Sequence, residues 1–198
     1  MTTHSLLARV ACLCLVGALA GCGGSKTDSN EPKASADASA SSTGTGEPAT
    51  QEPKSAKAAA ELSAEFVTGK GPKTLAEAKG KVVIVDFWAT YCGPCKKSFP
   101  KYQQLLDEFG SDLAVIAVSV DEPGDVKVDK LKDFAAKAKV SFAVVWDKEH
   151  KTAGTYNPEK MPTSFIIDKD GNIAHVHAGY EDGEENKIAD EVRALIKK

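Results

Sequence analysis

Two cysteines three residues apart sit at the seam between an apolar run and a helix-period pattern. The run is Val82-Val83-Ile84-Val85-Asp86-Phe87, and the seam is Trp88-Ala89-Thr90-Tyr91-Cys92-Gly93-Pro94-Cys95. This order predicts a buried strand that delivers the cysteine pair onto the first turn of a helix. Side chains three apart on a helix share a face. A disulfide needs Cα atoms roughly 4.4–6.8 Å apart, so the pair can close without moving the backbone. The helix N-terminus offers unpaired N–H groups and the positive end of the macrodipole. The Cys92 thiol is therefore expected below the ~8.5 of free cysteine, which makes it the attacking thiolate. Cys95, one turn inward, then resolves the mixed disulfide. Pro94 fits the opening turn, where its missing N–H costs nothing. A zinc site would need further ligands, and a structural staple normally closes a longer loop. Reversible dithiol chemistry is the expectation, with no metal and no other cofactor.

The front of the chain carries the other three of the five cysteines. Residues 1–21 read as a signal peptide: Arg9 supplies the charge, and residues 10–19 form an apolar core too short to span a bilayer. It ends in Leu19-Ala20-Gly21-Cys22, which resembles a bacterial lipobox. Cys12 and Cys14 would leave with the peptide, and Cys22 would carry the lipid. Gly23 follows Cys22 in place of Asp; by resemblance to Gram-negative sorting, the anchor would face the periplasm from the outer membrane, or sit in the cell membrane otherwise. Disulfides persist outside the cytoplasm, so a dithiol protein there has substrates. Residues 22–59 hold the lipidated Cys22 and then lack aromatic residues and Leu, Ile, Val and Met. Such a composition cannot bury enough apolar surface to order itself and is expected to act as a disordered tether.

Residues 60–198 are expected to form one domain. With 25 basic and 28 acidic residues in the chain, nucleic acid is not an expected partner. The strand over residues 81–87 is followed by a helix with Phe99, Tyr102, Leu106 and Phe109 on one face, closed by Gly110. Residues 113–120 predict a strand buried on both faces. Asp121-Glu122-Pro123-Gly124 breaks it. A helix over residues 126–139 and a strand over 142–146 follow. Strands over 163–168 and 172–178 flank the hairpin signal Asp170-Gly171. A last helix is expected to open on a capping box, Asp182 with Glu185, and to bury Ile188, Val192, Leu195 and Ile196. The fold class is α/β with a mixed sheet edge.

The motif Phe87-Trp88-Ala89-Thr90-Tyr91-Cys92-Gly93-Pro94-Cys95 resembles the thioredoxin active site. Further residues match the tethered TlpA and ResA-like thiol-disulfide oxidoreductases: Gly80-Lys81-Val82-Val83, Pro100, Val118-Ser119-Val120-Asp121, and Met161-Pro162-Thr163-Ser164-Phe165-Ile166-Ile167-Asp168. The resemblance implies a thioredoxin fold, a central mixed sheet flanked by helices, with an inserted helix and strand within residues 121–156. It implies a cis Pro162 facing the disulfide, with Met161 free to pair with a substrate chain. Trp88, Gly93 and Pro94 would support the site. Asp86 matches an acid of the thioredoxins, where a buried carboxylate with a raised pKa can take the proton of Cys95. Two positions depart from relatives. Ser98 stands where several tethered members have glutamate, and Ala117 stands where thioredoxin has a lysine, which should let Asp86 titrate higher still.

Three functions are compatible with these residues. The first is a lipid-anchored thiol-disulfide oxidoreductase that reduces disulfides of exported proteins, cytochrome c maturation among its uses. It would take electrons from a membrane thiol shuttle, act as a monomer and bind the bilayer through Cys22. The second is a thiol peroxidase, which by family pattern needs Thr three before the nucleophilic Cys; Ala89 is there. The third is a copper-carrying lipoprotein, whose relatives use a longer cysteine spacing and a distant His. His175 and His177 share one face of an expected exposed edge strand, and His150 lies in a solvated charge run.

Overall fold

A computed structural model describes residues 57–198. The signal peptide, Cys12, Cys14, Cys22 and most of the expected tether lie outside them. Seven strands make one mixed sheet in the order β1-β7-β6-β3-β4-β5-β2. The strands are β1 (Lys57–Ala58), β2 (Glu65–Thr68), β3 (Val82–Trp88), β4 (Leu113–Ser119), β5 (Ala143–Trp146), β6 (Thr163–Ile167) and β7 (Asn172–Ala178). Pairs β3–β4 and β4–β5 are parallel, and the others are antiparallel. Every residue of β3 and β4 is buried, as continuous apolar strands with both faces covered should be. Truncating Ile84 in that centre to Ala would cost about 2–5 kcal/mol.

The pleat sends alternate β3 residues to opposite faces. Val82, Ile84 and Trp88 join Phe99, Tyr102, Leu131, Ile188 and Val192 in one core. That face is covered by α1 (Cys95–Phe109), α2 (Val128–Ala138) and α4 (Glu184–Ile196). Val83, Val85 and Phe87 join the second core, with Leu62, Ala78, Tyr156 and Phe165. There α3 (Lys151–Tyr156) and the segment before β3 provide the cover. Residues 121–156 supply α2, β5 and α3.

Four local expectations shift. In α1, Leu105 is the buried residue of its turn, and Leu106 packs only partly against the core. The helix α4 starts after Gly183, whose φ is 97°. Glu185 Oε2 accepts the Gly183 N–H at 3.2 Å, so the acid caps from the second helical position and Asp182 stays outside. His177 is 5% exposed, not on an open edge. Its Nδ1 lies 2.5 Å from Glu184 Oε1 and its Nε2 2.6 Å from Glu191 Oε2, so it latches β7 to α4. Lastly, β1 falls inside the stretch assigned by composition to the tether. Its pairing with β7 is made by backbone groups, which need no apolar side chains.

Candidate active site

Cys92 and Cys95 are joined as a disulfide with their Cα atoms 5.4 Å apart. Cys92 lies in the turn before α1, and Cys95 is the first residue of the helix. Cys92 is 6% exposed and Cys95 is fully buried, so of the two cysteines only Cys92 has any surface in contact with solvent. The intervening Gly93 and Pro94 are exposed. Their carbonyls accept Lys96 N–H at 3.2 Å and Lys97 N–H at 2.9 Å, which winds the first turn. The Cys95 N–H points at Cys92 Sγ, 3.2 Å away. The helix N-terminus thus presents a donor to the outer sulfur, where negative charge would form on reduction.

The loop that carries the pair is pinned from beneath. Asp121 is 1% exposed. Its carboxylate accepts Thr90 N–H at 2.9 Å, Thr90 Oγ1–H at 2.7 Å and Ser119 Oγ–H at 2.9 Å. The Asp121 carbonyl accepts Trp146 Nε1–H at 2.8 Å. In sequence this residue reads as a strand breaker and as part of a family-matching segment, and its role as an anchor is hidden because its partner Thr90 is 31 positions away. Trp88 is fully buried and packs its ring 4.4 Å from Phe134 and 5.0 Å from Phe99, between sheet and helices.

Asp86 points to the same face as Ile84 and Trp88, and its relative exposure is zero. Burial pushes its carboxyl up to about 7, against the opposing pull of the Ser164 and Tyr102 hydroxyls. Its register partner on β4 is Ala117, fully buried, so no cation faces it from that strand. Ser164 Oγ donates to Asp86 Oδ1 at 2.7 Å, and Tyr102 Oη lies 2.6 Å from Ser164 Oγ. Burial, then the Asp86 charge, holds the Tyr102 hydroxyl well above its ordinary value. Ser98, fully buried on α1, donates to the Cys95 carbonyl at 3.2 Å.

The Met161–Pro162 peptide is cis and leads directly into β6. Met161 packs partly buried against the core cluster that contains Cys92 and Cys95. The Pro162 carbonyl is taken by Gly179 N–H at 2.7 Å. The structure therefore gathers Asp86, Trp88, Cys92, Cys95 and Met161 on one face of the sheet. Sequence patterning missed Tyr102 and Ser164 as polar partners of Asp86. A tyrosine on an apolar helix stripe and a serine in a buried strand were the available signals.

The histidines do not join this group. Both ring nitrogens of His177 meet carboxylates, and His175 Nδ1 lies 3.5 Å from Glu191. Among the described residues, no three His, Cys, Asp or Glu side chains are arranged to hold a metal ion. None of the described helices is long and apolar enough to cross a membrane.

Residues 56–176 match the AhpC/TSA family, a span of more than half the chain that includes the cysteine pair and Pro162. The thioredoxin-like protein YneN of Bacillus subtilis (strain 168) is 33% identical over 121 residues, covering 61% of this chain and 69% of YneN. Thiol-disulfide oxidoreductase ResA of Bacillus thuringiensis (strain Al Hakam) is 37% identical over 112 residues, 56% of this chain. The match spans 62% of that ResA, less than two thirds of its length. The crystal structure of a candidate thiol:disulfide interchange protein DsbE from Chlorobium tepidum superposes with a TM-score of 0.63. It is 30% identical, and the overlap covers 71% of this chain and 96% of that one. The fold is thioredoxin-like.

Proposed function

The chain belongs to the AhpC/TSA family, and we propose that it is a thiol-disulfide oxidoreductase of the TlpA and ResA-like kind, working as a reductase of exported protein disulfides. The observation that carries this role is a solvent-reachable Cys92 bonded to a buried Cys95, in a core that also encloses Asp86. The relatives named for thiol-disulfide chemistry support it.

The reduced protein begins with a Cys92 thiolate, stabilised by the N–H groups at the start of α1. Cys92 Sγ attacks one sulfur of a substrate disulfide, and the other leaves as thiolate. Asp86 takes the proton of Cys95. The Cys95 thiolate then attacks Cys92 Sγ, closes the internal disulfide and expels the second substrate thiolate. Two electrons pass to the substrate, and a membrane dithiol must return them for the next cycle. The backbone of Met161, beside Pro162, would pair with the docked substrate strand. Gly93 and Pro94, both exposed, flank Cys92 on the surface that such a strand would meet.

Cys22 would be the lipid-bearing residue, residues 1–21 the removed signal, and the bilayer a standing partner. The site would then work outside the cytoplasm, at the periplasmic face of an outer membrane or at the cell membrane, with cytochrome c maturation a fitting use. Peroxide chemistry is less well supported, since Ala89 offers a buried methyl where a hydroxyl would be needed. Copper carriage is less well supported too, since Glu184 and Glu191 already occupy both nitrogens of His177.

The test is the equilibrium reduction potential of the Cys92–Cys95 pair, titrated against a thiol redox buffer. A reductase requires a value near or below about −250 mV, in the thioredoxin range. A value near about −120 mV, that of strong oxidants, would reverse the direction to disulfide formation.

A further inference from the structure

Three buried side chains from three elements form one hydrogen-bonded file. Tyr102 belongs to α1, on the buried face shared with Cys95 and Ser98. Ser164 belongs to β6 and Asp86 to β3, and the two are opposed in register. Exposure is 2% for Tyr102, 2% for Ser164 and 0% for Asp86. Ser164 Oγ donates to Asp86 Oδ1 at 2.7 Å. Serine has a single hydroxyl proton. With that proton committed to Asp86, the Tyr102 hydroxyl is the donor in its 2.6 Å contact with Ser164. Asp86 Oδ2 has no hydrogen-bond partner among the described residues. The two oxygens of one carboxylate are thus unlike: Oδ1 is held and Oδ2 is open.

We infer that Tyr102 and Ser164 are positioning residues that hold Asp86 by Oδ1, so that Oδ2 is the atom that takes the proton of Cys95. This role presupposes Asp86 as the proton acceptor proposed above and assigns the atom and its supports. In the step, the Cys95 S–H bond breaks and the proton binds Oδ2. The Cys95 thiolate forms a bond to Cys92 Sγ, the bond from Cys92 to the substrate sulfur breaks, and its electron pair leaves with the substrate. Protonation at Oδ2 leaves the Ser164 bond to Oδ1 intact, so the file need not rearrange during turnover. Both hydroxyls favour the ionised carboxylate, against the upward effect of burial on its titration. Without them the acid would hold its proton to higher pH and be a poorer acceptor near neutrality.

The test uses the full chain in its reduced state. The Asp86 carboxyl carbon is titrated by NMR. In parallel, decay of the Cys92–glutathione mixed disulfide is followed by acid quench and intact mass across pH. Ser164→Ala is expected to raise the Asp86 midpoint by about one pH unit, as loss of a hydrogen bond to a charge implies, and to move the rate midpoint the same way. Tyr102→Phe should move both in the same direction by less. Ser164→Thr, which keeps a hydroxyl, should stay near the parent. Lower melting temperatures with unmoved midpoints would reduce the file to packing and overturn the inference. Tyr102→Phe removes one oxygen only, so its midpoint decides the matter if Ser164→Ala does not fold. Asp86→Asn separates the two levels. A parental decay rate would overturn the role of Asp86 and the file with it. A slowed rate beside unmoved midpoints in the Ser164 and Tyr102 variants would overturn the file alone.

Discussion

Asp86 occupies a place where its neighbours on β3 are Val85 and Phe87, and the fold carries a cost for it. The folded carboxyl titrates near 7 against an ordinary value of 3.8. Between those values the folded state holds a proton that the unfolded chain has released. Stability therefore falls as pH rises through this window and is level on either side of it. The loss is on the order of 4 kcal/mol by pH 8, since each pKa unit is worth about 1.4 kcal/mol. Asp86→Asn should abolish this slope in the oxidised protein. Its unfolding free energy, measured in denaturant at about pH 4 and again at about pH 8, should differ by several kcal/mol less than the parent's. An equal pH slope in both proteins would contradict the buried, raised carboxyl. The same variant should slow release of the mixed disulfide by about a hundredfold, the lower range of general acid–base contributions. Stability gained and rate lost together would identify a residue retained for chemistry. The cysteine pair and Asp86 were legible because their signal is local: a spacing of three, and one charge in an apolar run. Tyr102 and Ser164 were not, because the bonds that define them span 62 and 78 positions.

At the scale of elements, the active-site turn depends on a carboxylate at the end of a neighbouring strand. Asp121 follows β4 and gathers the Thr90 N–H, the Thr90 hydroxyl and the Ser119 hydroxyl. The parallel pairing of β3 with β4 sets the ends of both strands side by side, with Trp88 opposite Ser119. That register brings the turn after β3 over Asp121. Asp121→Ala would strand these buried donors and should cost about 3 kcal/mol in denaturant unfolding. It should also slow reduction of glutathione disulfide, because the turn holding Cys92 loses its anchor. Asp121→Asn, which keeps an acceptor oxygen, should lose less of both. Full stability in Asp121→Ala would show that the turn is held by its backbone alone. The strands and helices themselves could be read from apolar period, with the exceptions at their ends. Gly183 rather than Asp182 opens α4 because Glu185 reaches back to its N–H. His177 reads as an edge residue until α4 packs over β7 and places two glutamates against it.

At the scale of the molecule, one short strap covers both edges of the sheet. Residues 57–58 pair with β7 at one edge, and residues 65–68 pair with β5 at the other. Between them the chain crosses the face opposite α1. Leu62 is buried there, and Ala59 and Ala60 pack against the same core. The Ala60 carbonyl accepts the Tyr156 hydroxyl at 2.5 Å, and Ser63 N–H donates to Thr152 Oγ1 at 3.0 Å. Glu61 accepts the N–H groups of Leu75 and Ala76 at 2.9 and 3.0 Å, tying the strap to the segment before β3. Composition alone ends the expected tether late, because Ala-rich sequence looks unable to pack; at residues 57–58 backbone pairing with β7 is enough. The strap closes two strand edges that would otherwise offer unpaired N–H and C=O groups to other chains. A chain beginning at Lys57 should therefore unfold at the same denaturant concentration as one carrying residues 23–56. A chain beginning at Glu65 should lose about 3–5 kcal/mol from the removal of Leu62 and the stranded hydrogen bonds. It should also self-associate through its open β7 edge, measurable as a concentration-dependent sedimentation coefficient. Equal stability of the two truncations would mean that the strap lies on the core without holding it. A loss already present on removal of residues 23–56 would move the proposed domain boundary toward the N-terminus.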